Sequence, residues 1–203
     1  MIIALVMTGY LLGSIPVVWL ATKLVTGQDL RQMGGGNVGV LNTALSVHRW
    51  TGALVFIAEI AKGALAVILA QTFDGSEPAI GLTALAAIAG TRWSVWLRFR
   101  GGRGNTAAVA ALALISSLTV VAMIAIYLAE RFLSHSNFIA MRVSLLLLPF
   151  VFGLITQSWW WWLFGACFSL MFLTTHRPES DDHLLLKAHW PTLWAFLTTP
   201  PRK

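Results

Sequence analysis

Thr51-Gly-Ala-Leu-Val-Phe-Ile-Ala-Glu59-Ile-Ala-Lys62-Gly-Ala-Leu-Ala-Val-Ile-Leu-Ala-Gln71 is an apolar run interrupted by two charges three positions apart. A helix needs about 20 mostly apolar residues to cross the hydrocarbon core of a bilayer, and this run has that length. Its flanks differ in sign. Residues 23–50 carry Lys23, Arg31, His48 and Arg49 against one acid, Asp29, whereas residues 72–78 carry Asp74 and Glu77 and no base. Basic loops stay on the cytoplasmic side, so the run reads as a helix leaving the cytoplasm at its N-terminal end. Inside such a helix charges are costly and are paired or functional. At i and i+3, Glu59 and Lys62 share a helix face, which allows either a mutual ion pair or a functional pair.

The same pattern recurs along the chain. Apolar runs cover residues 2–22, 79–98, 106–128, 139–156 and 158–175. With 57% hydrophobic and 11% charged residues, the composition lies outside that of soluble domains, and one core could not hide so much apolar surface. The sequence predicts one all-α domain over 1–203, a polytopic integral membrane helical bundle. No base precedes Lys23, so the first run reads as a retained span and not as a signal peptide. The net charge of +6 sits in short loops between apolar runs. That favours topology and anionic lipids or substrates over nucleic acid.

Loop 98–105 carries Arg98, Arg100 and Arg103 and no acid, which places it in the cytoplasm with loop 23–50. The N-terminus is then external. The tail after Thr175, with His176, Arg177, Lys187, Arg202 and Lys203, reads as cytoplasmic. An odd number of spans is required, yet six runs are visible. Either two of the runs act as one span, or a further short helix exists, which residues 38–50 or a break at Ser116–Ser117 would supply. The run Trp159–Trp162 reads as a headgroup-level anchor beside a turn at Gln157–Ser158. Residues 184–199, with Pro191 in the middle, read as lying along the surface.

Two loops spend glycine where helices would otherwise continue. In Asp29-Leu-Arg-Gln-Met-Gly-Gly-Gly-Asn-Val-Gly-Val-Leu-Asn42, four glycines fall within residues 34–39. Glycine lets backbone N–H groups turn toward one point. Arg31 adds a fork of donors suited to phosphate, and Asn37 and Asn42 add neutral ones. The second loop, Arg98-Phe-Arg-Gly-Gly-Arg-Gly-Asn105, runs into an apolar helix whose N-terminus attracts anions. Singly, the loops read as a flexible turn and a topology signal. Together, on one side of the membrane, they predict a shared phosphate-binding surface. Ser134 in the polar stretch to Asn137 and His176 in the tail are further polar candidates. Zinc spacings, nucleophile elbows, Walker loops and the His-x4-Asp acyltransferase pattern are missing from the sequence.

In order and spacing these elements resemble the bacterial acyl-phosphate:glycerol-3-phosphate acyltransferases, the PlsY family. The likeness runs through Gly13-Ser-Ile-Pro16, Asp29-Leu-Arg31, Gly34-x-Gly36-Asn37-x-Gly39-x-x-Asn42, Lys62-Gly63, Gly90, Phe99-x-Gly101-Gly102-Arg103-Gly104, Arg131-Phe-Leu-Ser134 and His176-Arg177. It implies seven transmembrane helices, an external N-terminus and a cytoplasmic C-terminus, in a multi-pass protein of the inner (plasma) membrane. The implied reaction moves an acyl group from acyl phosphate to the 1-hydroxyl of glycerol 3-phosphate. The implied partners are those two substrates and membrane lipid, for a monomer using no metal or cofactor. Carried over, the catalytic residues are Arg31, Asn37, Arg103 and His176. The substrate-binding residues are Gly34, Gly36, Gly39, Asn42, Lys62, Arg100, Gly101, Gly102, Gly104 and Ser134. The chain departs from the pattern at Gly35 (usually Ser), Leu41 (Thr), Glu59 (Asp), Thr91 (His), Ser94 (Pro), Arg103 (Lys), and at Glu179, Ser180 and Asp182 in the tail. Two other functions stay open. One is a non-catalytic lipid-phosphate-binding homologue. The other is a small anion transporter, which the scarcity of intramembrane polar residues disfavours.

Overall fold

The computed structural model describes residues 1–174, and every regular element among them is helical. The helices are α1 (Ile2–Ser14), α2 (Val17–Thr26), α3 (Val40–Ser46), α4 (Arg49–Phe73), α5 (Glu77–Arg92), α6 (Asn105–Ile115), α7 (Ser117–Ser134), α8 (Asn137–Thr156) and α9 (Trp159–Leu173). Five stretches are long and apolar enough to cross a membrane: Ile2–Thr26, Arg49–Phe73, Glu77–Leu97, Ser117–Ser134 and Asn137–Thr156. Helices α6 and α9 are apolar but shorter. The molecule is an all-helical integral membrane bundle whose large exposed side chains, such as Ile3, Leu24, Leu54, Val121 and Leu146, are those a lipid phase accepts.

The apolar run 106–128 is two helices. Ser116 takes an extended backbone, and its Oγ accepts from Thr119 N at 3.3 Å, capping α7. Within residues 38–50 the only helix before α4 begins at Arg49 is the seven-residue α3, which spans about 10 Å at the helical rise and is too short to cross. Of the two places where an extra segment was expected, the break at Ser116 is the one that divides a span-length run.

Long-range contacts fix the helix directions. Helices α1 and α5 run parallel: a Cβ on Gly9 would lie 2.7 Å from Thr83 O, and one on Gly13 only 1.9 Å from Ala87 O. Small residues are what let backbones approach this closely inside a membrane. Helices α5 and α9 also run parallel. At one end Glu77 accepts from Ser158 Oγ (2.6 Å) and Trp161 Nε1 (3.0 Å); at the other Arg92 lies over the Phe172 ring at 4.4 Å. Helix α8 runs antiparallel to α9 across the Gln157–Ser158 turn, with Gly165 against Pro149 and Ser169 Oγ donating to Leu145 O. Helix α8 therefore starts at the end where α5 finishes. Helices α6 and α7, which fill the interval, leave that end and return to it.

The Ser169 bond has a clear cause. Pro149 has no N–H, so the carbonyl four residues earlier, Leu145, loses its helical donor. The neighbouring helix restores it. Nearby, Phe152, Trp161, Phe164, Phe168 and Phe172 form an aromatic core with Val67, Ile88 and Leu148. Only part of the tryptophan run is an interfacial anchor: Trp159 is exposed, whereas Trp161 is buried and tied to Glu77. A second cluster joins Val18, Leu30, Val38, Val55 and Leu97. It draws on α2, both polar loops and α4, and forms the floor on which those loops rest. The apolar segment expected at 184–199 lies outside the described residues.

Candidate functional site

Pro16 breaks the first span into α1 and α2, and the last carbonyls of α1 lose their helical donors. Each finds another. Ser14 Oγ donates to Leu11 O (2.8 Å) and Ile15 N to Leu12 O (3.3 Å). Lys62 Nζ donates to Gly13 O (3.0 Å) and Ile15 O (3.1 Å), and pairs with Glu59 Oε1 at 2.7 Å. Thr91 Oγ1 also donates to Gly13 O (3.1 Å), and Ser94 Oγ donates to Ser14 O (2.5 Å). All three donors of the Lys62 ammonium are thus engaged inside the protein, and the residue is 5% exposed. The sequence reading of Lys62 as a substrate ligand meets a side chain already committed to holding the first span against α4. Thr91, at the position where the resemblance implies histidine, is likewise committed to α1.

The first polar loop is fixed from within. Leu30 is fully buried in the floor cluster, which pins the turn around it. Asp29 Oδ1 accepts from Arg31 N (3.0 Å), and its carboxylate takes the Arg31 guanidinium as a fork, Nε at 3.0 and 3.1 Å and Nη2 at 2.6 Å. That pairing holds the Asp29 carboxyl well below the usual carboxylate range and raises the Arg31 pKa. Asn42 is wholly buried and staples the glycine turn: Nδ2 donates to Met33 O and Asn37 O, while Oδ1 accepts from Gly35 N and Ser46 Oγ. Gly34, at φ +53°, takes a left-handed conformation, and a Cβ there would meet Asn42 Oδ1 at 2.2 Å.

The second loop folds back onto the end of α5. Gly101 N donates to Arg92 O (2.9 Å) and Gly102 N to Thr91 O (3.0 Å). A Cβ on Gly102 would lie 2.0 Å from Val38 O, so this glycine is what lets the two loops touch. The sequence reading expected glycine amides to converge on an anion. In the structure the amides of Gly35, Gly36, Gly39, Gly101 and Gly102 donate to the protein. Gly104, at φ +73°, caps the start of α6. Arg98 and Phe99 stand side by side at positive φ (53° and 62°), a conformation that costs roughly 1–3 kcal/mol for a residue with a side chain. Their amides are tied to Val95 O and Ser94 O.

Between the loops lies a cavity of about 650 Å³ lined by Trp19, Asp29, Arg31, Gln32, Trp96, Leu97, Arg98 and Arg100. It unites two sequence-predicted residues, Arg31 and Arg100. Trp19, Gln32, Trp96 and Arg98 were not assigned from the sequence. Trp19 and Trp96 have no chemistry-bearing pattern around them, and Gln32 and Arg98 belong to the two polar loops without having been singled out there. Asn37 and Arg103 are not in its wall. Asn37 O takes the Asn42 staple, with its side-chain amide beside Gly39. The Arg103 carbonyl accepts from Nη1 of Arg92, a buried residue that sequence reasoning also passed over. Ser134 Oγ donates to Glu130 O (2.6 Å) and accepts from Ser136 N, closing the α7–α8 turn. His176 lies outside the described residues. Among the described residues no group of three or more His, Cys, Asp or Glu side chains is placed to hold a metal.

The glycerol-3-phosphate acyltransferase family model matches residues 3–184. A curated relative of that name from Synechococcus sp. (strain CC9605) is 36% identical over 173 residues, covering 85% of each chain. Another, from Caulobacter vibrioides (strain NA1000 / CB15N), is 32% identical over 187 residues, covering 91% of this chain and 84% of the relative. A relative from Dehalococcoides mccartyi is 49% identical over 96 residues, and that match spans about half of its length, 46%. The fold is similar to the crystal structure of PlsY (YgiH), an integral membrane glycerol 3-phosphate acyltransferase, in its glycerol 3-phosphate form. The TM-score is 0.79 at 23% identity, over 98% of this chain and 99% of the other. The lysophosphatidic acid form of PlsY matches at 0.74 and 22% identity, over 91% and 92%.

Proposed function

The chain belongs to the glycerol-3-phosphate acyltransferase family, and from that premise we propose that it transfers an acyl group from acyl phosphate to the 1-hydroxyl of glycerol 3-phosphate. The hydroxyl oxygen attacks the acyl carbonyl, the bond from that carbon to the phosphate oxygen breaks, and inorganic phosphate leaves with the hydroxyl proton. The donor is a mixed anhydride and already activated, so no enzyme nucleophile is needed. Positioning two phosphates and stabilising the departing one supplies the rate. The observation that carries this reading is the docking of the two polar loops. Gly102 against Val38 brings residues 29–42 and 98–104 together, with Arg31 and Arg100 in one cavity. Arg103 immediately precedes the N-terminus of α6, whose first N–H groups have no helical acceptors and favour an anion.

In this reading Arg31, Asn37, Arg103 and His176 act on the substrates at the cytoplasmic face of the inner membrane, in a monomer. The bundle crosses seven times, from an external N-terminus to a cytoplasmic C-terminus. Support comes from the α6–α7 out-and-back path and from the basic loops at one end opposite Asp74 and Glu77 at the other. A second reading, a lipid-phosphate-binding homologue without turnover, is favoured by the commitment of Lys62, Thr91 and Asn42 to the protein's own backbone. Purified protein given palmitoyl phosphate and labelled glycerol 3-phosphate decides between them. The enzyme makes lysophosphatidate well above an Arg103→Ala control. Phosphate binding with no product above that control would leave only the second reading.

A further inference from the structure

We propose that Arg92 is a positioning residue: from its buried place at the end of α5 it fixes the backbone of the 101–104 turn and so presents the Arg103 side chain to the substrate phosphates. The inference rests on the reading of Arg103 as a residue that acts on those phosphates. It gives a role to a side chain that lies outside both polar loops and outside the arginine cavity.

Four contacts place Arg92. Its carbonyl accepts from Gly101 N at 2.9 Å, at the start of the turn. Its Nη1 donates to the Arg103 carbonyl, near the turn's end. Its Cγ packs against Gly104, the residue that caps α6, where an added Cβ would come within 3.4 Å of it. The carbon of its guanidinium sits 4.4 Å from the centre of the Phe172 ring, near the end of α9. One residue, 7% exposed, thus grips the turn at both ends and rests against a third helix.

A contact that only joined helices would not need this charge. A buried charge is costly, and inside a membrane protein it is paired or functional. Lys62 is the paired case, with Glu59 at 2.7 Å. Among the described residues Arg92 belongs to no ion pair, and the charge that acts on it is that of Arg103, of the same sign. Arg92 therefore holds Arg103 by its backbone while its charge drives the second guanidinium away from α5. Its positive charge at the start of α6 also adds to the helix field that favours an anion there.

The test uses the full-length protein in phosphatidylcholine nanodiscs, with palmitoyl phosphate and labelled glycerol 3-phosphate. Arg92→Met keeps an apolar stem against Phe172 and removes the charge and the donors. Arg92→Lys keeps a charge and a donor for the Arg103 carbonyl. We expect Arg92→Met to lower kcat/KM roughly tenfold or more, the scale of one charge-assisted hydrogen bond, with the thermal midpoint no lower than that of the wild type. Arg92→Lys should recover most of the loss. In an Arg103→Ala background Arg92→Met should cost nothing further, because residues that act through one another are not additive. Unchanged kcat/KM in Arg92→Met overturns the proposal. So does an equal loss in the two backgrounds, which would make Arg92 independent of Arg103. A loss that tracks a lowered midpoint and disappears when the assay is run well below it also overturns it, leaving Arg92 a structural contact alone. Amide hydrogen exchange separates the inference from the reaction: Arg92→Met should speed exchange at residues 101–104 and leave the interior of α6 as it was. Faster exchange there with no product from the wild type sinks the proposed reaction and keeps the positioning; unaltered exchange at 101–104 sinks this inference whether or not the wild type turns over.

Discussion

Two polar regions lie within a few residues of one another and differ in one respect. At the α1 break the charges are saturated: Lys62 has three acceptors, and the carbonyls of Gly13, Ser14 and Ile15 each have a donor. In the arginine cavity they are not: one carboxylate, Asp29, faces three guanidiniums. Both sets of residues look alike in sequence, as ionisable groups near apolar runs. A sealed set of charges holds helices together, because any loss strands a partner in a medium that cannot solvate it. An unsealed set around a void has donors to spare for a ligand.

That contrast ranks the effects of mutation. Lys62→Ala should be the most damaging, by about 3–5 kcal/mol, since it strands a buried carboxylate; it should show as a large drop in thermal midpoint in detergent. Replacing both charges, as Glu59→Leu with Lys62→Met, should recover only part of that drop, because Gly13 and Ile15 lose their donor either way. Full recovery would mean that Lys62 does not cap the break. Gly13→Ala should follow, at about 1–3 kcal/mol, by forcing α1 and α5 apart, again read from the midpoint.

Arg31→Ala belongs to the other region. It should lower kcat/KM roughly 10- to 100-fold, the loss of one charge-assisted bond to phosphate, with little change in stability. A midpoint that falls as far as in Lys62→Ala would erase the distinction between the regions. The Asp29 carboxyl, depressed below its ordinary 3.8 by the Arg31 fork, sharpens the test. Its folded pKa lies below its unfolded one. The pair therefore stabilises the loop above that ordinary value and is lost only as pH falls through the lower folded one. Arg31-dependent binding should be flat with respect to Asp29 from pH 5 to 9; a titration there that Asp29→Asn removes would contradict the assignment. The smallest effect is expected for Ser169→Ala, which uncaps Leu145 O and should cost about 0.5–1.5 kcal/mol, the scale of side-chain hydrogen bonds between membrane helices.

Much of the architecture was legible. Spans appeared as apolar runs because partition into lipid depends on local composition alone. The break at Ser116 was visible as one of two options, since paired serines offer a cap at the start of a new helix. The glycine loops stood out, but their purpose was misread in part. Gly101 and Gly102 are there for close approach to Thr91 and Val38, a contact between distant segments. The tryptophan run was taken as an anchor throughout, yet the packing of α9 against α5 buries Trp161 and leaves Trp159 outside. Trp19 and Trp96 carried no signal at all, being two more aromatic residues in a membrane protein.

By itself the sequence determined that this chain lives in a bilayer, that it is helical, which loops share a face, and which family it resembles. Each follows from the residue types in one stretch or from their order. Only the tertiary structure decided which charges are saturated within the fold and which face a cavity. Lys62 and Arg31 differ in what their N–H groups meet, and those acceptors arrive from segments 47 residues away in one case and from a neighbour two residues away in the other. Hydrogen-bond saturation is a property of three-dimensional neighbours, and no local pattern encodes it.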